Sequence, residues 1–490
     1  MPIHQKEPLG KVRTKIVATL GPASRAPAVL RALVEAGVDV FRLNFSHGTH
    51  DEHSAALKSL RAAAGECGRE VAVLQDLGGP KIRLGTIPGD AVYCRLGDRF
   101  VLTGDAASDD PRRLTCTYPE LARDLKPGDV ILFAAGAVAM LVIGRDEAGV
   151  SLEVTLAGRL KSKQGINLPG ASLGIKALTE KDLSDLDWTA RHEVEYVGLS
   201  FVQQAADVVW LRQELNRRGC RSKIVSKIEK PQAVDNLDAI IAATDAVMVA
   251  RGDLGVEMDV ARVPAIQKHV IAACHRARIP VITATQMLNS METSNRPTRA
   301  EASDVFNAVL DGTDAVMLSG ETAVGQYPVE AVETMSRIAS EAEKLMFQEP
   351  GAVWARPGSI GPGSSREALV QPITESVVEA ASVVGRRLGA SLVIVSTHSG
   401  RTALALSKQR SATPTLALSH DPIAARAMAL YWGVTPLTTP KEVDAAGTFD
   451  FALNWAREHN LVSRGDRLVL VQGTMPNSSI HNGMLVQEVE

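Results

Sequence analysis

Cysteine is scarce in this chain of 490 residues: the five present, Cys67, Cys94, Cys116, Cys220 and Cys274, are widely spaced and form no C-x-x-C pair. An odd, scattered set argues against a disulfide framework and a zinc site, and fits a reducing, cytoplasmic setting. An excess of one charge is missing too. A formal net charge of −3 provides no chain-wide basic field for nucleic acid or anionic lipid, so any anion site must be local. The longest apolar stretch, Val130 to Gly144, falls short of the ~20 residues of a membrane span. It is broken by a small-residue turn at Ala134-Ala135-Gly136 and reads as a core hairpin. The opening residues carry Lys6, Lys11, Arg13 and Lys15 without the apolar run of a signal peptide. Neither a Walker A motif nor a G-x-G-x-x-G fingerprint occurs, so a bound nucleotide would have to be held by other means.

What the sequence does contain is a recurrence of short β-branched runs with helix-length segments between them, the pattern of βα units around a parallel sheet. Eight candidate strands stand out: Lys15–Thr19, Asp39–Leu43, Val71–Asp76, Tyr196–Ser200, Lys223–Lys227, Ala246–Ala250, Pro280–Ala284 and Asp314–Leu318. Eight such strands close a (β/α)8 TIM barrel. The third and fourth are too far apart for one crossover helix. The stretch between them is rich in Gly, Thr and Val, with Pro-Gly-Asp turns at 88–90 and 127–129, and predicts a small inserted β-barrel lid. A Gly/Pro/Ser tract at 357–365 reads as a linker, and after it Leu392–Ser396, Pro414–Leu418, Val434–Leu437 and Arg467–Gln472 predict an open α/β sheet. The expected division is barrel 1–84, lid 85–170, barrel 171–347, linker 348–365 and C-terminal regulatory domain 366–490.

A barrel of this type holds ligands on the loops at the C-terminal strand ends. Strand two ends in Arg42 to Gly48, and strand three in Asp76 with Lys81 and Arg83 beyond it. Strand five ends in Lys227-Ile228-Glu229, strand six in Arg251-Gly252-Asp253, strand seven in Thr285-Gln286 and strand eight in Ser319-Gly320-Glu321-Thr322. Acids beside Arg and Lys are what phosphoryl transfer needs: carboxylates for magnesium and cations for the migrating oxygens. The two glycines in Ala250-Arg251-Gly252-Asp253-Leu254-Gly255 let backbone N–H groups close on an anion.

Several long strings resemble the pyruvate kinase family. They are Arg42-Leu43-Asn44-Phe45-Ser46-His47-Gly48, Ser226-Lys227-Ile228-Glu229, Val247 to Gly255, Ala284-Thr285-Gln286-Met287-Leu288, Arg296 to Glu301 and Met317 to Thr322. The resemblance implies that Glu229 and Asp253 ligate a divalent cation, Mg2+ or Mn2+, and that Arg42 and Lys227 contact the phosphoryl group in flight. It implies that the 250–253 backbone (Ala250, Arg251, Gly252, Asp253) and Thr285 receive the carboxylate of phosphoenolpyruvate, with Lys227 also steadying the enolate. A relay through Thr285, Ser319 and Glu321 would supply its proton. ADP or ATP would be met by Thr19, Pro22, Asn44, His47 and Arg83, and by Lys163 of the lid.

The chain also departs from the family pattern. Gln164 replaces a second lid lysine, and Ala134-Ala135 replace two aspartates. Gly473 to Ser479 lacks the Trp-Arg pair of fructose-bisphosphate-binding animal enzymes. The loop Ser396-Thr397-His398-Ser399-Gly400-Arg401-Thr402 resembles the family's effector loop, implying a phosphorylated allosteric effector such as AMP or a sugar monophosphate. In potassium-activated relatives the ion is held by counterparts of Asn44, Ser46 and Asp76 and by a threonine where Leu77 stands, with a glutamate at the Lys81 position. The expectation is therefore that Lys81 supplies the charge and K+ is not required. Family resemblance further implies a homotetramer. Two other readings are a metal-dependent phosphoenolpyruvate/pyruvate-barrel lyase, which would not need nucleotide contacts, and a catalytically silent effector-binding protein, which would not need Arg42, Lys227, Glu229, Asp253 and Thr285 together.

Overall fold

The computed structural model describes residues 12–134, 136–169, 176–348, 369–440, 445–473 and 481–490. The expected linker tract at 357–365, Ala135, and nearly all of the 473–479 segment lie outside them. Eight parallel strands close the barrel: β1 (Lys15–Thr19), β2 (Val40–Asn44), β3 (Ala72–Asp76), β4 (Tyr196–Leu199), β5 (Lys223–Ile228), β6 (Ala246–Ala250), β7 (Val281–Ala284) and β8 (Ala315–Leu318). The ring runs β1-β8-β7-β6-β5-β4-β3-β2. Each falls within two residues of its sequence-based expectation, because an all-buried parallel strand reads as an apolar run.

Side-chain alternation sorts the barrel core into two layers. Ile16 and Ala18 face the outer layer that packs the helices, whereas Val17 points inward with Val40, Leu74, Tyr196, Val225 and Met248. That inner layer continues without a break into the C-terminal domain through Met428, Leu430 and Tyr431. Polar ties reinforce the seam: Lys15 Nζ donates to the Val434 carbonyl at 2.7 Å, and Tyr196 Oη to that of Ala427 at 2.5 Å. Lys408 and Arg410 both grip the buried Asp314, at 2.7 and 2.9 Å. His275 packs beside them, its pKa pushed down to about 3 by burial and by Arg410 and Lys408. The C-terminal domain thus covers the N-terminal mouth of the barrel and leaves the opposite mouth for ligands.

Between β3 and β4, a six-stranded sheet and a two-stranded ribbon (Ala91–Cys94 with Gly158–Lys161) curl around one core of Phe100, Ile131, Phe133, Met140 and Leu160. The hairpin Val130–Phe133/Val138–Asp146 lies where the small-residue turn placed it, with Ala134 and Gly136 at positive φ. The C-terminal sheet contains β9 (Leu392–Ser396), β10 (Thr415–Ser419), β11 (Val434–Thr438), β12 (Arg467–Gln472) and β13 (Gly483–Glu488), in the order β11-β10-β9-β12-β13. The edge strand β13 was not expected. Met484, Leu485 and Val486 are consecutive and exposed, so they show no period-2 alternation. No described helix is long and apolar enough to cross a membrane.

Candidate active site

At the C-terminal mouth, the ends of β2, β3 and β5 build a buried chain of alternating charge. Arg42 Nε donates to Asp76 Oδ2 at 2.6 Å. Lys227 Nζ lies 3.3 Å from Asp76 Oδ1 and 2.8 Å from Glu229 Oε1. Both of those oxygens lack a directed hydrogen bond, so these contacts are charge pairs that leave lone pairs open. The lysine's directed bond goes to Ser200 Oγ at 2.7 Å. Burial alone would depress the Lys227 ammonium, but Asp76 and then Glu229 overcome it and hold the group above the ordinary lysine range. Burial likewise works against ionised Asp76, and Lys227 and Arg42 reverse it, so this carboxylate stays ionised.

Glu229 behaves oppositely. Burial pushes its pKa up, Lys227 offsets only part of the rise, and Asp253 adds to it. A carboxylate with one open buried oxygen and a second acid across from it fits a divalent cation, which would supply the charge the pair lacks. No cluster of three or more His, Cys, Asp or Glu suited to a metal occurs among the described residues, and Glu229 with Asp253 are two carboxylates that could share an ion with substrate and water oxygens. Oxygen donors of this kind suit a hard divalent cation.

Beyond β7 and β4 the backbone is strained. Thr285 and Gln286 occupy consecutive left-handed conformations, φ 70° and 54°, and Phe201 beyond β4 a third, φ 56°. Non-glycine residues adopt such angles only where their surroundings insist. Arg251 is what insists at β7: its guanidinium donates to the Thr285 carbonyl at 2.7 Å and the Gln286 carbonyl at 3.2 Å, and pairs with Asp304 at 2.8 Å. The Arg251 side chain is therefore not free for a substrate, and only its backbone remains available. Thr285 Oγ1 in turn accepts from the Gly252 N–H at 2.7 Å, aligning the strand-six turn with the strand-seven hydroxyl. Phe201 presents its N–H to Glu229 Oε2 at 2.7 Å.

At β8, the carboxylate of Glu321 accepts from the amides of Ser319 (2.7 Å) and Leu288 (3.0 Å). Both oxygens are committed to bracing the two loops, whereas Ser319 Oγ is buried with no hydrogen-bond partner. Thr19 is also spent internally: its hydroxyl accepts from Arg42 Nη1 at 3.1 Å and donates to the Leu318 carbonyl at 3.0 Å, so it orients Arg42 and has no hydrogen left for a nucleotide.

A pyruvate kinase barrel-domain model matches residues 11–332, and a pyruvate kinase alpha/beta-domain model matches residues 375–486. The chain belongs to the pyruvate kinase family. It is 42% identical over 470 residues to a pyruvate kinase of Agrobacterium vitis, covering 94% of this chain and 95% of that one. Identity to a pyruvate kinase of Mycobacterium tuberculosis (strain H37Rv) is 42% over 466 residues, 95% of this chain and 96% of the other. To pyruvate kinase 2 of Synechocystis it is 41% over 489 residues, 99% and 80%. As a pyruvate kinase the enzyme is a phosphotransferase acting on phosphoenolpyruvate and ADP, a family that generally uses a divalent metal.

Seen as a pyruvate kinase, the mouth has a second, more open side. Pro22 and His47 are exposed, and Asn44 is half-buried with its side-chain oxygen accepting the Ser46 N–H. Burial, then Arg83, Lys81 and Arg42, hold His47 neutral below its usual pKa, so four sequence-named residues share one neighbourhood. Arg83 Nη1 reaches the Lys163 carbonyl at 3.4 Å, and Lys163 itself is exposed at φ 62°. Ser200 and Phe201 were overlooked in the sequence. They stand at the end of strand four, and the strand-end rule that found the others reaches them as well.

Proposed function

We propose that the buried charge chain divides the reaction among its members, and the observation that carries this is the placement of Lys227 between Asp76 and Glu229. Arg42 and Lys227 offer fixed positive charge to the phosphoryl oxygens while the bond from phosphorus to the enol oxygen of phosphoenolpyruvate breaks and one to a β-phosphate oxygen of ADP forms. Glu229 and Asp253 hold magnesium or manganese, which when bound supplies further positive charge to the substrate oxygens. The substrate carboxylate docks on the 250–253 turn with the Thr285 hydroxyl. Lys227 then faces the enolate, and Ser319 with its open hydroxyl stands with Thr285 on the route of the proton to carbon, Glu321 bracing their loops. His47, Asn44, Arg83 and Lys163 line the nucleotide side. The test is ADP-dependent formation of pyruvate from phosphoenolpyruvate, followed by a coupled assay with and without magnesium.

The same reading extends to monovalent cations. Asn44 and Asp76 are register partners on adjacent strands, but Asp76 is already paired with both Arg42 and Lys227, and Leu77 is buried in the apolar core. Lys81 brings a tethered ammonium into the His47 neighbourhood. A free cation about 4 Å from it would be repelled by roughly 4 kcal/mol at an effective dielectric near 20. Full activity is expected with sodium or tetramethylammonium in place of potassium at matched ionic strength. Lys81→Glu, with Leu77→Thr, should lose activity and regain part of it on adding potassium. A wild-type rate that climbs roughly tenfold with potassium alone rules this out.

For regulation, the 396–402 loop is the effector site of this reading. Gly400 sits at φ 79° with its N–H on Thr397 Oγ1, a β-carbon there would stand 3.0 Å from Met428, and Arg401 is exposed at the start of the next helix. AMP or a sugar monophosphate is expected to lower the half-saturating phosphoenolpyruvate concentration, and Arg401→Ala to abolish that response. If no phosphorylated metabolite shifts half-saturation, the loop is only a helix cap. The open edge strand β13, with Leu485 half exposed, supports self-association of the C-terminal domains in a homotetramer.

A further inference from the structure

We propose that Glu257 is a positioning residue that seats the lid in register with the two metal acids. Its side chain is 2% exposed, and its carboxylate has two partners from different parts of the chain. Asn167 Nδ2, on the lid strand Ile166–Asn167, donates to Glu257 Oε1 at 3.1 Å, and Lys230 Nζ lies 3.3 Å from the same oxygen. Lys230 directly follows Glu229 in the chain. Glu257 closes the helix Arg251–Glu257 one turn after Asp253. One buried carboxylate thus ties the segment bearing each metal acid to the lid.

The contact lies where the described part of the lid meets the barrel. A cavity there is bounded by the outgoing chain at Pro80, Lys81 and Ile82, by the returning chain beside Asn167, and by Lys230 and Glu257. A lid that leaves this seat loses the Asn167–Glu257 bond. That would leave the buried carboxylate with one partner in place of two, and a buried charge stripped of a hydrogen bond is costly. The seated lid is favoured by that difference, and its orientation is fixed relative to the helix that carries Asp253. Arg83 and Lys163, which touch each other across the lid base, would be placed over the nucleotide by the same seat.

The inference rests on the reading that Glu229 and Asp253 hold the metal. Asn167→Ala should lower kcat/KM for ADP roughly tenfold, as expected for one hydrogen bond to a charged group. KM for phosphoenolpyruvate and the melting temperature should change less than about twofold and little, respectively, because Glu257 keeps Lys230 and the helix that carries the strand-six turn stays anchored. Asn167→Asp should be worse than alanine, since it sets two carboxylates face to face. Adding Glu257→Gln to Asn167→Asp should then recover activity, a rescue that a loss of packing could not show. Overturning results are an Asn167→Asp enzyme as active as wild type, or a double variant no better than the single. Asp253→Ala separates the two levels. If it leaves the magnesium titration unchanged, the metal reading fails. If it shifts that titration while the Asn167 and Glu257 variants behave independently, only the lid inference fails.

Discussion

Lys227→Met is expected to lower turnover by at least about a hundredfold, the scale on which a preorganised charge in a dry site acts. Methionine keeps the length and apolar stem of the lysine and removes only the ammonium. The neighbours it abandons retain other partners: Asp76 keeps Arg42 Nε at 2.6 Å, and Glu229 keeps the Phe201 N–H at 2.7 Å. The barrel should therefore still fold, with the far-ultraviolet circular dichroism spectrum of the wild type. The variant also carries a pH signature. Burial already raises the Glu229 pKa and Lys227 is the main influence opposing it, so its loss raises that pKa further. A carboxylate must be ionised to ligate a metal, so metal activation is lost as pH falls through this pKa, and in the variant that loss begins at higher pH. Near-normal turnover in the purified variant would refute the assignment of Lys227.

Glu229→Gln and Asp253→Ala are each expected to weaken magnesium activation as well as rate. In the proposed site two carboxylates are the protein's donor set, so losing either removes half of it, and the half-saturating magnesium concentration should rise more than about tenfold. Glutamine preserves the shape of the buried site, so an effect of Glu229→Gln reports charge and not a cavity. A magnesium titration that overlays the wild type for both variants would show that the metal sits elsewhere.

The barrel was legible because each of its strands is short, apolar and followed by chemistry. Lys15–Thr19 and Ala246–Ala250 are identical in sequence reading and structure, as an all-buried parallel strand leaves no choice of face to confuse the reading. β13 was not legible, since an exposed edge strand is defined by pairing to β12 and leaves no alternation in Gly483–Glu488. Site roles were harder. Arg251 and Thr19 occupy strand ends and look like ligand contacts in one dimension. Only their hydrogen bonds, to the Thr285 and Gln286 carbonyls and to Arg42 and Leu318, show that they hold other groups in place.

The sequence by itself determined the barrel, the inserted lid and the set of charged strand ends, because side-chain period and residue type are properties of neighbours along the chain. The tertiary structure decided which of those charges meet. Lys227 is tuned by Asp76, far away in sequence, and Glu257 finds Asn167 and Lys230 from two other segments. Electrostatic energies depend on distance and burial in space, and neither is written in the order of residues.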